Sequence, residues 1–315
     1  MQLLFVNYHY IRDPSAYAYP GIHPLSRGHF EAEVDRLRDA FHMASPDEVT
    51  AFAAGEFRFD RPAVFLTFDD GLIEHLDVAR DVLEPRGIHS AFFIITAPVV
   101  EQRAATVHKI HWLRATTPPE TFAEEFKSHL SNTYRRDVEA PDPEATAIYP
   151  YDTEVVAQMK YAISFRLPLD IVGQTASKML ASRGEDEATF CARTYLDREG
   201  VARLAEGGHV VGVHGHNHLV FSKVSPEALE AEVSRNVELL TEITGKQPEW
   251  VSYPYGRESA LPPDPSDLCE RFGFRVGLSL IPGWNAGGAP ASRLNRINTN
   301  EVDDIAFSAL NEATS

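Results

Sequence analysis

Four short polar clusters each follow directly on an apolar run. They are "NYHY" after "LLFV", "DDG" after "AVFLTF", "HGHNH" after "VVGV" and "YPYG" after "WVS". The apolar runs read as short β-strands, and "PAVFLTF" is continuous enough to be buried on both faces. Helical patterns separate them. "HFEAEVDRLRDAF" has apolar residues at 30, 34, 37 and 41, the spacing of an amphipathic helix. Alternating strands and helices predict a parallel sheet. An open doubly wound sheet and a closed barrel both satisfy that order. The clusters favour the barrel, because every strand of a (β/α) barrel ends on one face and active sites are built there.

The rest of the chain fits this frame between residues 1 and 96 and from 196 to 315. "LIEHLDVARDVLEPRGI" is a helix stopped at Pro85 and Gly87, and "SAFFIIT" is a buried strand. Ser225 and Pro226 open another helix and Gly245 closes it. "DLCERFGF" and "RVGLSLI" add one more helix and strand. Residues 97 to 195 break the pattern with polar helical stretches and the acidic, Pro-rich "EAPDPEATAIYPYD". This segment is expected to be an inserted, mostly helical lobe that roofs the pocket and limits substrate length.

Composition narrows the partners. With 29 basic and 46 acidic residues the formal charge is −17, which disfavours nucleic acid and anionic membranes. The two cysteines, 191 and 269, have no metal-ligand spacing, so reduced thiols are expected. The start "MQLLFVNYHYIRD" reads as a strand rather than a secretory leader, which would be basic and then longer in its apolar part. No stretch has the length of a bilayer span. A cytoplasmic protein acting on a small molecule is the expectation.

His214 and His218 are four residues apart, which lets two imidazoles reach one metal ion. Taken alone that spacing is a weak signal. An aspartate from a neighbouring strand end completes an Asp-His-His set with open coordination positions, as a catalytic Zn²⁺ requires. The "DDG" pair then divides its labour: one carboxylate ligates and the other stays free to take a proton from water. Its competing role is to place negative charge at the start of the next helix.

"TFDDG", a later His-x-x-x-His and then "PYG" resemble the NodB-homology polysaccharide deacetylases, carbohydrate esterase family 4, over roughly residues 1–96 and 200–300. The resemblance implies a distorted (β/α) barrel of about seven strands that removes N-acetyl groups from amino sugars. It implies Asp69 as general base, and Asp70, His214 and His218 as ligands of one divalent metal, Zn²⁺ by preference. Tyr255 would lend a backbone N–H to the oxyanion, and His216 and Asn217 would support the ligands.

Two positions depart from the family pattern. The arginine that orients the catalytic aspartate is replaced by Ser252, with Arg293 or Arg296 as candidates to take over from another strand end. No histidine follows His218, so the usual C-terminal general acid is absent. A branch with an N-terminal Tyr-His strand resembles Tyr8-His9, which makes His9 the expected acid and His23, His29, His108 and His111 its rivals. "VHKIHWLRA" admits a second metal site, although a packed amphipathic helix explains it better. The expected function is deacetylation of a nucleotide- or lipid-linked amino sugar destined for a surface polysaccharide such as O-antigen. The alternatives are an amidohydrolase of small non-sugar amides, or a carbohydrate-binding homologue without turnover.

Overall fold

The computed structural model describes residues 2–140 and 142–308; Met1 and 309–315, the extreme ends of the expected barrel segments, lie outside them. The chain divides into two compact units. One comprises Met1–Arg12, Leu25–Glu101 and Thr194–Ser315; the other comprises Asp13–Pro24 and Gln102–Arg193.

Among the described residues the first unit holds eight strands: β1 (Leu3–Tyr8), β2 (His42–Met43), β3 (Ala63–Phe68), β4 (Ala91–Ile94), β5 (Val210–Val213), β6 (Trp250–Ser252), β7 (Val276–Leu278) and β8 (Arg296–Asn298). Seven run in the order β7-β6-β5-β4-β3-β1-β8, and β2 pairs with β3 off this path. All pairings are parallel. The segment entering β8 bonds back to β7: Leu294 N–H donates to Gly277 O at 2.8 Å and Ser279 N–H to Leu294 O at 2.9 Å. The sheet is thus a nearly closed parallel barrel, as the polar strand ends suggested.

Period-two alternation explains how this barrel makes a site. Leu4, Val6, Val64 and Leu66 share a core with Phe30, Val34 and Leu37 of the helix Arg27–Ala40 and with Val78 and Val82. Leu3, Phe5, Ala63, Phe65, Phe93, Trp250 and Leu294 form a second core. Phe65 on β3 meets Trp250 on β6 at 5.4 Å although two strands lie between them in the sheet, so this second core fills the barrel. Counting on by twos, the inward positions turn polar at the strand ends: Asn7 after Phe5, Thr67 and Asp69 after Phe65, Ser252 after Trp250, Arg296 after Leu294. All five are at most 3% exposed. Apolar side chains occupy one end of the barrel and hydrogen-bonding groups the other, where they must satisfy each other.

The helices follow their sequence signals. Ser26 Oγ caps Arg27–Ala40 by accepting from His29 N–H, and Ser225 caps the helix Pro226–Thr244, which ends at left-handed Gly245. β2 escaped the sequence reading, and β8 entered it only as a strand end near Arg293 and Arg296; both are too short to show a pattern.

The second unit is helical. Its helices Thr106–Thr116, Pro119–His129 and Leu169–Ser182 bury Leu113, Phe122, Phe126, Val172 and Met179. Buried Lys109 donates to Glu187 at 2.8 Å and to Ser177 Oγ at 3.0 Å.

Candidate metal and catalytic centre

β3 delivers "DD" at its C-terminal end. Asp69 continues the inward alternation. Asp70 adopts a φ of 81°, a left-handed conformation that costs a non-glycine residue on the order of 1 kcal/mol. That turn redirects its carboxylate towards the end of β5. Asp70 Oδ1 lies 3.3 Å from His214 Nε2 and 3.5 Å from His218 Nε2. Among the described residues these three form a group whose ligand atoms all lie within 4.8 Å of one another, and all three are buried. His218 also has a left-handed φ, 59°. The "HGHNH" segment is therefore a tight loop, and the two imidazoles meet with centroids 5.0 Å apart.

The donor set suits a divalent cation: one carboxylate oxygen and two imidazole nitrogens is a three-ligand set that Zn²⁺ accepts in catalytic sites. The tautomer of His214 also fits. Its Nδ1 donates to Ser252 O at 2.8 Å, which leaves the Nε2 lone pair facing Asp70. Burial pushes the His214 pKa down, but the carboxylates of Asp69 and Asp70 outweigh it and raise the value.

Asp69 is held differently. Arg296 grips it with both ends of the guanidinium, Nη1 to Oδ1 and Nη2 to Oδ2, each at 2.9 Å. Asn7 Nδ2 donates to Oδ2 at 3.1 Å. Burial pushes its pKa up, but Arg296 and then His214 outweigh burial and hold it below the ordinary carboxylate range. Asp69 is an oriented anion at neutral pH.

Arg296 is 1% exposed and its remaining donors are also used. Nε donates to Ser279 O at 2.8 Å, Nη1 to Asn7 Oδ1 at 3.0 Å and Nη2 to Ser252 Oγ at 2.7 Å. Of the two candidates for the missing arginine, Arg296 sits on Asp69. Arg293 pairs on the surface with Glu258 at 2.9 Å. Ser252 serves both sides, with its hydroxyl on Arg296 and its carbonyl on His214. Sequence reading could have preferred Arg296, because it follows Leu294 by two and therefore shares its inward face.

His9 lies at the end of β1 with Nε2 4.0 Å from Asp70 Oδ2 and its side chain 39% exposed. Its carbonyl accepts from buried His75 Nε2 at 2.9 Å. Tyr255 has a φ of 64° and lays its ring on His218, centroids 4.7 Å apart. The left-handed turn continues through Gly256, where a Cβ would meet Leu280 N at 2.6 Å. Of the rivals of His9, His29 is exposed on the helix Arg27–Ala40, and His23, His108 and His111 belong to the second unit.

A barrel with an Asp-His-His cluster at its strand ends defines the class: a parallel (β/α)-barrel fold with a candidate mononuclear metal centre. Residues 173–275, which include His214, His218 and Tyr255, match the polysaccharide deacetylase family model. Three solved structures show the same fold. IcaB from Ammonifex degensii is 17% identical with a TM-score of 0.58, covering 98% of this chain and 96% of its own. The Streptococcus pyogenes deacetylase PplD in complex with acetate is 16% identical with a TM-score of 0.55, covering 95% and 92%. A de-N-acetylase from Aggregatibacter actinomycetemcomitans is 14% identical with a TM-score of 0.54, covering 94% of both chains. No curated protein matches the sequence. The matched segment and the shared fold make the chain similar to the NodB-type polysaccharide deacetylases.

Proposed function

We propose that the protein is a metal-dependent hydrolase that removes an N-acetyl group from an amino sugar, with Asp70, His214 and His218 as ligands of one divalent cation, preferably Zn²⁺. The observation that carries this reading is the division of labour between adjacent aspartates. Asp70 faces two imidazoles, and Asp69 is locked by Arg296 alongside. A divalent ion held by Asp70, His214 and His218 would supply Lewis acidity for activating water and polarising the acyl group.

The remaining roles fall to the protein's own groups. Asp69, ionised and oriented, accepts the proton of the attacking water, and Arg296 and Asn7 hold its carboxylate in place. The backbone N–H of Tyr255 stabilises negative charge on the acyl oxygen. His9, beside Asp70 and open to solvent, protonates the departing amine, which leaves poorly as an anion. The non-catalytic alternative drew its support from the missing motif arginine and the displaced general acid. Arg296 on Asp69 supplies an arginine and weakens the first support, and the second is met only by the proposed role of His9.

The test is acetate release by the zinc-loaded protein. The panel is N-acetylglucosamine oligomers, nucleotide-linked N-acetyl sugars and simple non-sugar acetamides. Release from an N-acetyl sugar, and not from acetamides, is expected. Turnover confined to the non-sugar amides would replace the deacetylase reading with the amidohydrolase one. The choice between polymer and nucleotide-linked sugar is read from the same panel.

A further inference from the structure

We propose that Glu232 and Asn236, on the helix Pro226–Thr244, are positioning residues that hold the His214–His218 loop in its metal-binding shape. This inference rests on the reading of His214 and His218 as ligands. The two residues are one helical turn apart, so they share a face, and they are 3% and 0% exposed. A carboxylate and an amide on the buried face of a long helix are costly unless bonded, and here the loop takes up both oxygens of Glu232. The loop and the end of β4 take up Asn236 Nδ2, while Asn236 Oδ1 has no hydrogen-bond partner among the described residues.

Glu232 grips Asn217 from both ends. The backbone N–H of Asn217 donates to Oε1 at 2.5 Å and its side-chain Nδ2 to Oε2 at 2.7 Å. Asn217 immediately precedes His218, whose φ of 59° persists only where the surroundings over-determine it. Asn236 Nδ2 lies 2.6 Å from Gly215 O, 3.0 Å from Ile94 O and 2.9 Å from Thr96 Oγ1. It ties the loop to the end of β4. Thr96 Oγ1 in turn meets His216 Nδ1 at 2.9 Å. Gly215 has a φ of 78°, and a Cβ there would stand 2.9 Å from Glu232 Oε1, so the carboxylate packs directly under the turn between the two ligands. One helix face therefore fixes the loop at Gly215, just after His214, and at Asn217, just before His218.

The test is zinc affinity, measured by chelator competition on folded, metal-free protein, together with the visible spectrum of the cobalt(II) form. Glu232→Ala is expected to bind zinc about 10–100-fold more weakly, the usual effect of removing a group that orients a metal ligand, and to shift the cobalt bands. Glu232→Gln keeps an acceptor oxygen for the Asn217 N–H and is expected to recover most of the affinity. Asn217→Ala removes only the side-chain bond at a half-buried position and is expected to weaken binding by a smaller factor, so it decides the matter should Glu232→Ala fail to fold. His214→Ala is the reference. If His214→Ala keeps wild-type affinity, the ligand reading itself fails. If His214→Ala loses the metal while folded Glu232→Ala, or Asn217→Ala in its place, binds as tightly as wild type with an unshifted spectrum, the positioning role alone is overturned.

Discussion

The "HGHNH" loop and the helix Thr106–Thr116 each carry two histidines at a spacing that suits a shared ligand, and they put them to different use. His214 and His218 lie 3.3 and 3.5 Å from one buried carboxylate oxygen. His108 and His111 have ring centroids 6.2 Å apart and belong to no group of three ligating side chains among the described residues. Spacing is the same kind of signal in both places. What differs is the supply of a third ligand: β3, two strands from β5 in the sheet, brings Asp70 to the loop, whereas no third ligating side chain joins His108 and His111 among the described residues. The two arginines of "SRLNRI" repeat the lesson. Arg296 points inward and is bonded at every nitrogen, while Arg293 forms one exposed ion pair.

The largest effect expected from this contrast concerns Arg296. Arg296→Met leaves Asp69 buried without its cation and should destabilise the fold by about 3–5 kcal/mol. Arg293→Met should change stability by less than about 1 kcal/mol, the usual worth of a surface pair. Urea unfolding of the two variants measures both. Equal losses would mean that the buried position confers no special role.

Asp69→Asn should keep a full metal complement and lower kcat about 10²–10⁴-fold, the usual contribution of a general base. Paired measurements of metal content and acetate release separate the roles of the two aspartates. Metal lost with activity would make Asp69 a ligand as well. His9→Ala should also keep metal and fold, and its kcat should fall most on substrates with the most basic leaving amine. A loss that is independent of the leaving group would assign the acid elsewhere.

A third kind of histidine sharpens the comparison. His209, just before β5, is 5% exposed, and its Nδ1 accepts from Ser90 N–H at 3.1 Å. Burial, and then the nearby His89, push its pKa down to about 4. The folded state keeps it neutral, so its contribution to stability is intact above the unfolded value near 6.5 and is lost as pH falls towards 4. Melting temperatures of wild type and His209→Gln should converge over that interval. Parallel curves from pH 7 to 4 would show that His209 takes up a proton in the fold.

Much of this architecture was legible in the chain. The strands that carry Asp69, Asp70 and the two histidines are continuous apolar runs, and the polar clusters mark which of their ends is functional. Less visible were features fixed by distant partners. Arg296 meets Asp69 across 227 residues of sequence, and β8 is only three residues long. Its inward direction shows only when Leu294 and Arg296 are counted as alternate positions. Glu232 and Asn236 look like ordinary polar residues of a surface helix until the loop is placed over them. The left-handed backbone at Asp70, His218 and Tyr255 has no signature either, because such turns usually advertise themselves with glycine.

The most direct measurement is elemental analysis of the purified wild-type protein, of His214→Ala/His218→Ala and of His108→Ala/His111→Ala. One equivalent of divalent metal is expected in the wild type and in the helix variant, with none retained by the loop variant. Full metal in the loop variant, or its loss from the helix variant, would contradict the assignment of the metal site to the strand-end cluster.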